Sequence, residues 1–300
     1  MQALPGNRIV TLRQVWTDYQ ESRTLKESTK KDYEKRLQRC LGDWLDKDIR
    51  SLSKDLIEEK HKELSKASPS QANLVMRILK ALLTYASFKY DELAGLPNPV
   101  RRLSEVRAWN KVKRRQSMIH RHQMPAWFAA VLGLRNPTVR DYLLLLLFTG
   151  LRRNEGAQLL WRNVDLDRKI ILIRDTKNHE DHCLPLPGYL VRVLEERKAS
   201  AGKSIYVFPG KIANSHLSQW SKSHRHVVEA SGVSFMLHDL RRTFCTTAKQ
   251  IGIDFLVIKR LVNHKQKDTT EGYIVDDVEE LREPMEDIAN ELLKRAGRAG

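Results

Sequence analysis

The sequence predicts a mainly α-helical protein with a small β-sheet in its second half, an α+β arrangement. In the first hundred residues, apolar side chains recur every three or four positions, and no segment alternates between apolar and polar residues. Strand-like patterns occur at Lys169–Arg174 and His182–Pro187, on either side of a polar turn, and again at Ile205–Phe208. The chain therefore consists of an all-helical front part and a mixed second part.

The front part extends over residues 8–97 and has the pattern of a helical bundle. Four stretches with an apolar face are joined by short connections. Gly95 can end the last of these helices, and Pro97 and Pro99 cannot continue one. We therefore expect a first domain that ends here, which agrees with a length of 300 residues and about two domains.

Residues 98–122 are predicted to be a basic linker. From Val106 to His122 the chain contains six arginine or lysine residues and no acidic residue. A solvated surface strand has a similar composition, but a net charge of +16 for the whole chain and the position between two domains favour a linker that contacts an anionic partner such as DNA. The cations assigned to this contact are Arg107, Lys111, Lys113, Arg114 and Arg115.

The sequence after the linker predicts a second domain over residues 123–276 and a C-terminal helix or tail over residues 277–300. Most of the second domain has helical spacing, and the apolar run Tyr142–Phe148 is typical of a buried core helix. The tail is amphipathic. Its apolar positions are Val278, Leu281, Met285, Ile288 and Leu292.

The charge balance indicates an anionic partner. The chain has 53 basic and 37 acidic residues, a net charge of +16 and a pI of about 9.8. Nucleic acid is the first expectation, an anionic membrane surface is the second, and solubility alone is the simplest alternative. The longest apolar run is far shorter than the roughly 20 residues of a membrane span. Three widely spaced cysteines and the lack of a secretory signal favour the cytoplasm or nucleoid.

An arginine, a glutamate and a lysine mark the first part of a candidate site. Arg152 lies on a turn after the apolar helix, and Glu155 is three residues further on, so a helix can bring the carboxylate to the guanidinium for a forked contact. Lys177 stands at the tip of the turn between the two strands and can reach a neighbouring cleft. If each feature is considered alone, the simpler interpretations are a surface ion pair for Arg152 and Glu155 and a solvated turn residue for Lys177.

Two histidines, an arginine and a tyrosine mark the second part. His238 and Arg241 are three residues apart and share a helix face. Imidazole beside guanidinium suits an anion, which the arginine can bind through two N–H groups. His264 and Tyr273 follow, separated by a polar stretch, although a lone tyrosine after such a loop is usually a half-buried core residue.

These side chains together suit phosphoryl transfer without a metal ion. The sequence has no carboxylate pair to hold magnesium and no glycine-rich loop ending in Lys-Ser/Thr. His179, His182 and Cys183 lack a second ligand pair at zinc-like spacing, so no metal site is predicted. Guanidinium groups can neutralise a pentavalent phosphate, and a tyrosine hydroxyl can form a covalent phosphate ester.

The order of these groups resembles the tyrosine recombinases, the phage-integrase type of site-specific DNA recombinase. Thr149–Arg152 is similar to the family's first arginine box, His238–Phe244 to its second, and Leu261–Tyr273 to the box that holds the nucleophile. Each box alone is a weak pattern, whereas all of them in this order, with the lysine between the first two, are specific. The resemblance covers about residues 8–290, and the helical front part resembles the family's core-binding domain.

The resemblance implies a role for each residue in cutting and rejoining DNA. Tyr273 attacks the scissile phosphate to form a 3′-phosphotyrosine, and Lys177 protonates the 5′-hydroxyl leaving group. The two arginines bind the non-bridging oxygens, the two histidines assist proton transfer and hydrogen-bond the phosphate, and Glu155 positions Arg152. The reacting groups are Arg152, Lys177, His238, Arg241, His264 and Tyr273.

The resemblance also implies an architecture and partners. The two domains are expected to form a C-shaped clamp around double-stranded DNA and to act as a homotetramer that integrates or excises a mobile element, without a cofactor. Accessory DNA-bending proteins are compatible with a phage-type enzyme. In relatives a C-terminal segment packs on a neighbouring protomer, so we expect the tail to dock in trans, with docking in cis as the alternative.

Two departures from the family pattern and three rival functions accompany this interpretation. Asn263 stands where the family usually has glycine before the histidine, and Asn154–Gly156 differs from the usual small–Glu–aliphatic pattern.

A tyrosine-type topoisomerase would use the same chemistry. A non-catalytic DNA-binding regulator would not need Tyr273 or Lys177. A membrane-surface protein would need a long basic amphipathic helix, which the sequence lacks.

Overall fold

The computed structural model describes residues 9–174, 181–200, 202–264 and 277–298, and most of them are helical. The chain divides into two compact units between Arg115 and Gln116. Unit 1 precedes this boundary and unit 2 follows it. Within the described ranges, none of the helices combines the length and apolar character needed to cross a membrane.

Unit 1, where described, consists of helices and connecting turns. Its α-helices are α1 (Leu12–Ser22), α2 (Glu27–Leu41), α3 (Lys54–Ala67), α4 (Pro69–Lys89) and α5 (Arg102–Glu105). Helices α1, α2 and α3 each pack against α4, which contributes many residues to an apolar core. The Ser68 hydroxyl caps α4 by accepting the N–H of Gln71, and Pro69 occupies the first turn.

The segment 98–122 is folded at both of its ends. Leu103 is fully buried in the core of unit 1, and Ile119 is buried in the core of unit 2. Residues 111–116 between them are exposed. Arg107 is also exposed and has a left-handed backbone (φ 54°) after α5. The exposed stretch is thus shorter than the sequence predicts, because apolar residues on either side are drawn into the two cores.

Unit 2 contains a three-stranded antiparallel sheet. Strand β1 (Val164–Asp165) pairs with β2 (Ile170–Ile173), and β2 pairs with β3 (His182–Pro185), in the order β1–β2–β3. Ile173 lies opposite His182, so the two strands lead into and out of residues 174–181 side by side. The strands predicted on either side of the polar turn are confirmed.

The third strand is not the one that the sequence predicts. Ile205–Phe208 forms no strand. Tyr206 makes an isolated bridge with Leu160, and Phe208 is fully buried in the core of unit 2. The apolar character of this segment therefore reflects core packing. The third strand is β1, whose two residues are too few to produce an alternating pattern.

The helices of unit 2 surround one buried helix, which contains the apolar run of the sequence. This helix, α7, is buried along most of its length and contacts α6, α8, α9, α11 and α13. The ranges are α6 (Met124–Leu132), α7 (Pro137–Thr149), α8 (Arg153–Ala157), α9 (Gly188–Ala199), α10 (Ser221–Ser231), α11 (Leu237–Gln250), α12 (Phe255–Leu261) and α13 (Arg282–Arg295).

The C-terminal helix α13 packs on its own unit. Met285, Ile288 and Leu292 are fully buried, and the helix contacts α11 and α7. The buried Arg295 side chain donates to the Thr247 hydroxyl of α11 (3.1 Å). In the structure this helix docks in cis, which is the alternative to the expected docking in trans on a neighbouring protomer.

A buried arginine joins α9 to α7. Arg197 is 7% exposed and donates to the Asp141 carboxylate (3.0 Å), the Thr138 hydroxyl (2.8 Å) and the Val207 carbonyl (2.6 Å). Its guanidinium also lies over the Phe208 ring, 5.0 Å from the centroid. Burial lowers the pKa of Arg197, and the contact with Asp141 opposes that effect. Asp141 therefore stabilises the charged form of Arg197 against the effect of burial.

We expect Arg197→Met to lower the free energy of unfolding by about 3 kcal/mol, the lower end for a broken buried ion pair, because Arg140 still pairs with Asp141. Arg192→Met, at an exposed position of the same helix, is the matched control and should change it by less than about 0.5 kcal/mol. Urea denaturation followed by circular dichroism measures both. Equal losses in the two variants would contradict a stabilising role for the pair.

Candidate active site

A sharp turn after α7 places Arg152. Gly150 ends α7 in a left-handed conformation (φ 65°), with its N–H donating to the Leu146 carbonyl. A Cβ atom at Gly150 would lie 2.7 Å from Cδ1 of Phe244 on α11. Both the backbone angle and the space therefore require glycine. Arg152 follows as the residue that precedes α8.

Glu155 holds Arg152 at two points. Its Oε1 accepts from Nη1 of Arg152 and its Oε2 from the Arg152 backbone N–H, both at 2.8 Å. The sequence predicts a forked contact with the guanidinium alone. The structure has one side-chain bond and one backbone bond, because Glu155 also caps the start of α8. The Nη2 of Arg152 donates to the Asn263 carbonyl (3.2 Å).

Arg241 on α11 is nearly buried beside Arg152. It is 7% exposed, and its guanidinium donates to the carbonyls of Gly150 (2.8 Å) and Val262 (2.6 Å). Burial lowers the pKa of Arg241, and the positive charge of Arg152 adds to this effect. A guanidinium has five N–H groups, so these two bonds leave donors for an anion.

His238 lies one turn before Arg241 on α11, at a position that the protein covers only in part, whereas Arg241 is nearly buried. Partial burial lowers the pKa of His238, and the charges of Arg242 and Arg241 lower it further. The imidazole is therefore neutral at pH 7 in the free protein. In that form it can accept a proton or donate one hydrogen bond.

His264 follows α12 and is exposed. Its backbone N–H donates to the Lys259 carbonyl (3.0 Å), which fixes its position relative to the helix. Since the carbonyls of Val262 and Asn263 accept from the two arginines, His264 is the next residue after both contacts. The turn after α12 thus brings a histidine to the arginine pair.

Asp239 is a site residue that our sequence analysis missed. It is 1% exposed, accepts from the Ser117 hydroxyl (3.0 Å to each oxygen) and forms an ion pair with Arg242 (2.6 Å). Its Oδ2 also accepts the backbone N–H of Met236, which caps α11. Asp239 thereby fixes the start of the helix that carries His238. The only signal in the sequence is an acidic residue in a first helical turn.

Lys177 and Tyr273 lie outside the residues that the structure describes, so their roles stay predictions. The described parts that flank Lys177 in the chain are β2 and β3, and those that flank Tyr273 are the turn after α12 and the segment that begins at Asp277. His182 at the start of β3 is within hydrogen-bonding distance of the Leu261 carbonyl in α12 (3.2 Å between Nε2 and O). The strand that follows Lys177 is therefore joined to the helix that precedes Tyr273.

The arrangement of the described residues is suited to a phosphate. Two guanidinium groups lie close together, and one carboxylate, Glu155, pairs with Arg152. Their combined charge favours an anion, which they can bind through N–H groups of fixed direction. Among the described ranges, no group of three or more His, Cys, Asp or Glu residues is arranged to hold a metal ion.

The chain matches the model of the phage integrase family over residues 119–280. This range contains all the candidate catalytic residues, including the two that the structure does not describe.

Two relatives of known name have similar sequences. The prophage integrase IntF of Escherichia coli (strain K12) is 27% identical over 229 residues, which are 74% of this chain and 49% of that protein. The tyrosine recombinase XerA of Thermococcus kodakarensis is 31% identical over 225 residues, which are 71% of this chain and 73% of that protein. The chain therefore spans about half of the length of the first relative and about three quarters of the second.

A solved structure has a similar fold. A lambda integrase tetramer bound to a Holliday junction matches with a TM-score of 0.68 at 18% sequence identity, over 90% of this chain and 80% of that one. This match concerns the fold alone. The family model and the sequence relatives together show that the chain belongs to the phage integrase family of tyrosine recombinases.

Proposed function

We propose that this protein is a site-specific recombinase that cuts and rejoins double-stranded DNA through a 3′-phosphotyrosine intermediate, and so integrates or excises a mobile element. The observation that carries the proposal is the pair Arg152 and Arg241. Both guanidinium groups are fixed by carbonyls after α12, and Arg241 shares α11 with His238. Membership of the phage integrase family supports the same reaction.

In the cleavage step, the Tyr273 hydroxyl oxygen attacks the scissile phosphorus and gives its proton to the neutral imidazole of His238. The bond between phosphorus and the 5′-oxygen breaks, and Lys177 gives a proton to that oxygen. Arg152 and Arg241 donate to the non-bridging oxygens, whose negative charge rises in the transition state. The 5′-hydroxyl of another strand reverses these steps, so the bond energy is kept and no cofactor is consumed.

The two histidines and Glu155 have supporting roles in this mechanism. The lowered pKa of His238 favours its neutral form in the free protein, so its imidazole can accept the proton that Tyr273 loses. His264 can donate a hydrogen bond to the same phosphate. Glu155 keeps Arg152 in position through its two bonds to that residue.

Duplex DNA is the proposed partner, held by a C-shaped clamp of a core-binding domain (residues 8–97) and a catalytic domain (residues 123–276). The exposed cations of residues 111–115 support a contact with the phosphate backbone. A homotetramer on DNA is proposed from the lambda integrase tetramer on a Holliday junction, which has the same fold. Accessory DNA-bending proteins stay a prediction.

Covalent trapping tests the nucleophile. Wild-type protein incubated with duplex DNA from the junctions of the host element, nicked near the exchange site, should give a protein–DNA adduct that survives denaturation. Tyr273→Phe should give none, because it lacks the attacking oxygen while keeping the ring. A strand-exchange assay on the same DNA then separates a recombinase from a topoisomerase. An adduct with both proteins would place the nucleophile elsewhere.

The titration of His238 tests whether the site is prepared for an anion. By NMR, with His238→Gln to assign the resonance, the imidazole pKa in the free protein should lie below its ordinary value of about 6.5. Adding inorganic phosphate should raise this pKa, because a bound anion stabilises the imidazolium.

The same shift has a consequence for stability. The unfolded chain binds a proton at His238 more readily than the folded chain, so this residue makes folding less favourable as the pH falls below about 6.5. Wild-type protein should therefore lose more stability than His238→Gln between about pH 7 and pH 5. A pKa of His238 at or above its ordinary value in the free protein would contradict both the titration and the stability predictions.

The exposed cations Lys113 and Arg115 should contribute to the affinity for DNA and not to the cleavage rate. Replacing Lys113 and Arg115 by alanine should weaken binding to unrelated DNA sequences alike and reduce the slope of log affinity against log salt by about one for each lost phosphate contact. The cleavage rate at saturating DNA should not change. A loss that depended on the DNA sequence would instead assign these residues to base recognition.

A further inference from the structure

The turn after α12 contains a residue in an unusual backbone conformation beside both arginines. Asn263 has a φ of 44°, in the left-handed region that glycine adopts easily and most other residues avoid. This is the position where the family usually has glycine. The structure therefore relates a departure in the sequence to a specific backbone requirement.

The hydrogen bonds identify this turn as a Schellman motif. The Asn263 N–H donates to the Arg260 carbonyl (3.1 Å), and the His264 N–H donates to the Lys259 carbonyl (3.0 Å). This pair of bonds requires a left-handed residue just after the helix, which is most often glycine and sometimes asparagine. Asn263 thus keeps the motif without glycine.

The same turn holds the arginine pair. The Val262 carbonyl accepts from Nη2 of Arg241 (2.6 Å), and the Asn263 carbonyl accepts from Nη2 of Arg152 (3.2 Å). Carbonyl groups at the end of a helix carry partial negative charge, which favours nearby cations. Rotating the backbone of residue 263 out of the left-handed region would move its own carbonyl and displace His264.

We propose that Asn263 is a positioning residue for the two arginines and His264, and that it acts through its left-handed backbone rather than through its side-chain amide. The inference rests on the proposed function in that it takes the arginine pair to bind the reacting phosphate. It predicts that the activity of variants at residue 263 depends on how readily the new residue adopts a positive φ, and not on the polarity of its side chain.

A substitution series at residue 263 tests this prediction. Asn263→Gly keeps the backbone and removes the amide, and should match wild type within about twofold. Asn263→Val disfavours the conformation and should lower the rate of adduct formation at saturating DNA by about 10- to 100-fold, the size expected for a small misplacement of reacting groups. Asn263→Ala should lie between them.

Two readouts separate this inference from the proposed function. The first is the rate of covalent adduct formation with the nicked duplex. The second is the affinity for inorganic phosphate, followed by NMR at His238 and His264, which needs no cleavage. The same order of variants is expected in both. A wild-type protein that formed no adduct would overturn the proposed function, while the phosphate affinities would still test the role of Asn263.

Asn214 is the matched control. It is exposed, and it has a φ of 53° in a loop of unit 2. Asn214→Val introduces the same backbone strain and should lower thermal stability without changing phosphate affinity or the rate. If Asn263→Gly lowered the adduct rate and the phosphate affinity as much as Asn263→Val, the side-chain amide would be the group that acts. If Asn263→Ala and Asn263→Val both kept wild-type phosphate affinity, the turn would have no positioning role. Either result would overturn the proposal.

Discussion

Unit 2 has to hold two positive charges together in the absence of a phosphate. Arg152 and Arg241 repel each other, and Arg241 is also nearly buried. One carboxylate, Glu155, compensates part of this charge, and carbonyls after α7 and α12 compensate more. The sharp turns that end α7 and α12 direct these carbonyls to the arginines, and the central position of α7 fixes the first of the two turns. A phosphate would supply the remaining negative charge.

The neighbouring groups follow from the same constraint. The pKa of His238 is lowered by partial burial and by this positive charge, so the neutral imidazole is favoured. Asp239, one residue further on, is buried and directed to Ser117, Arg242 and the start of α11. The acidic residue nearest to His238 in sequence is thus bonded to structural partners and leaves the site positive.

The sequence predicts most of the elements and site residues, because helical periodicity and the order of reactive groups are local properties of the chain. It could not predict that Phe244 excludes any side chain at Gly150, or that Asn263 keeps a turn usually made with glycine. The first depends on a helix distant in sequence, and the second on a backbone angle of residue 263 that the residue type alone does not specify. Packing also explains why Ile205–Phe208 forms no strand, since Phe208 fills the core, and why α13 lies in cis, since its apolar face covers its own unit. Lys177 and Tyr273 rest on the sequence resemblance alone.

The cis packing of α13 has a consequence for synthesis of the protein. Helix α7 is translated early in unit 2, yet part of its apolar surface is covered by α13, which follows more than a hundred residues later. Unit 1 has its own core and can fold while the ribosome is still making unit 2. Unit 2 cannot complete its core until α13 has emerged. A translation product that stops before residue 282 would contain a folded first unit and an exposed, aggregation-prone second one.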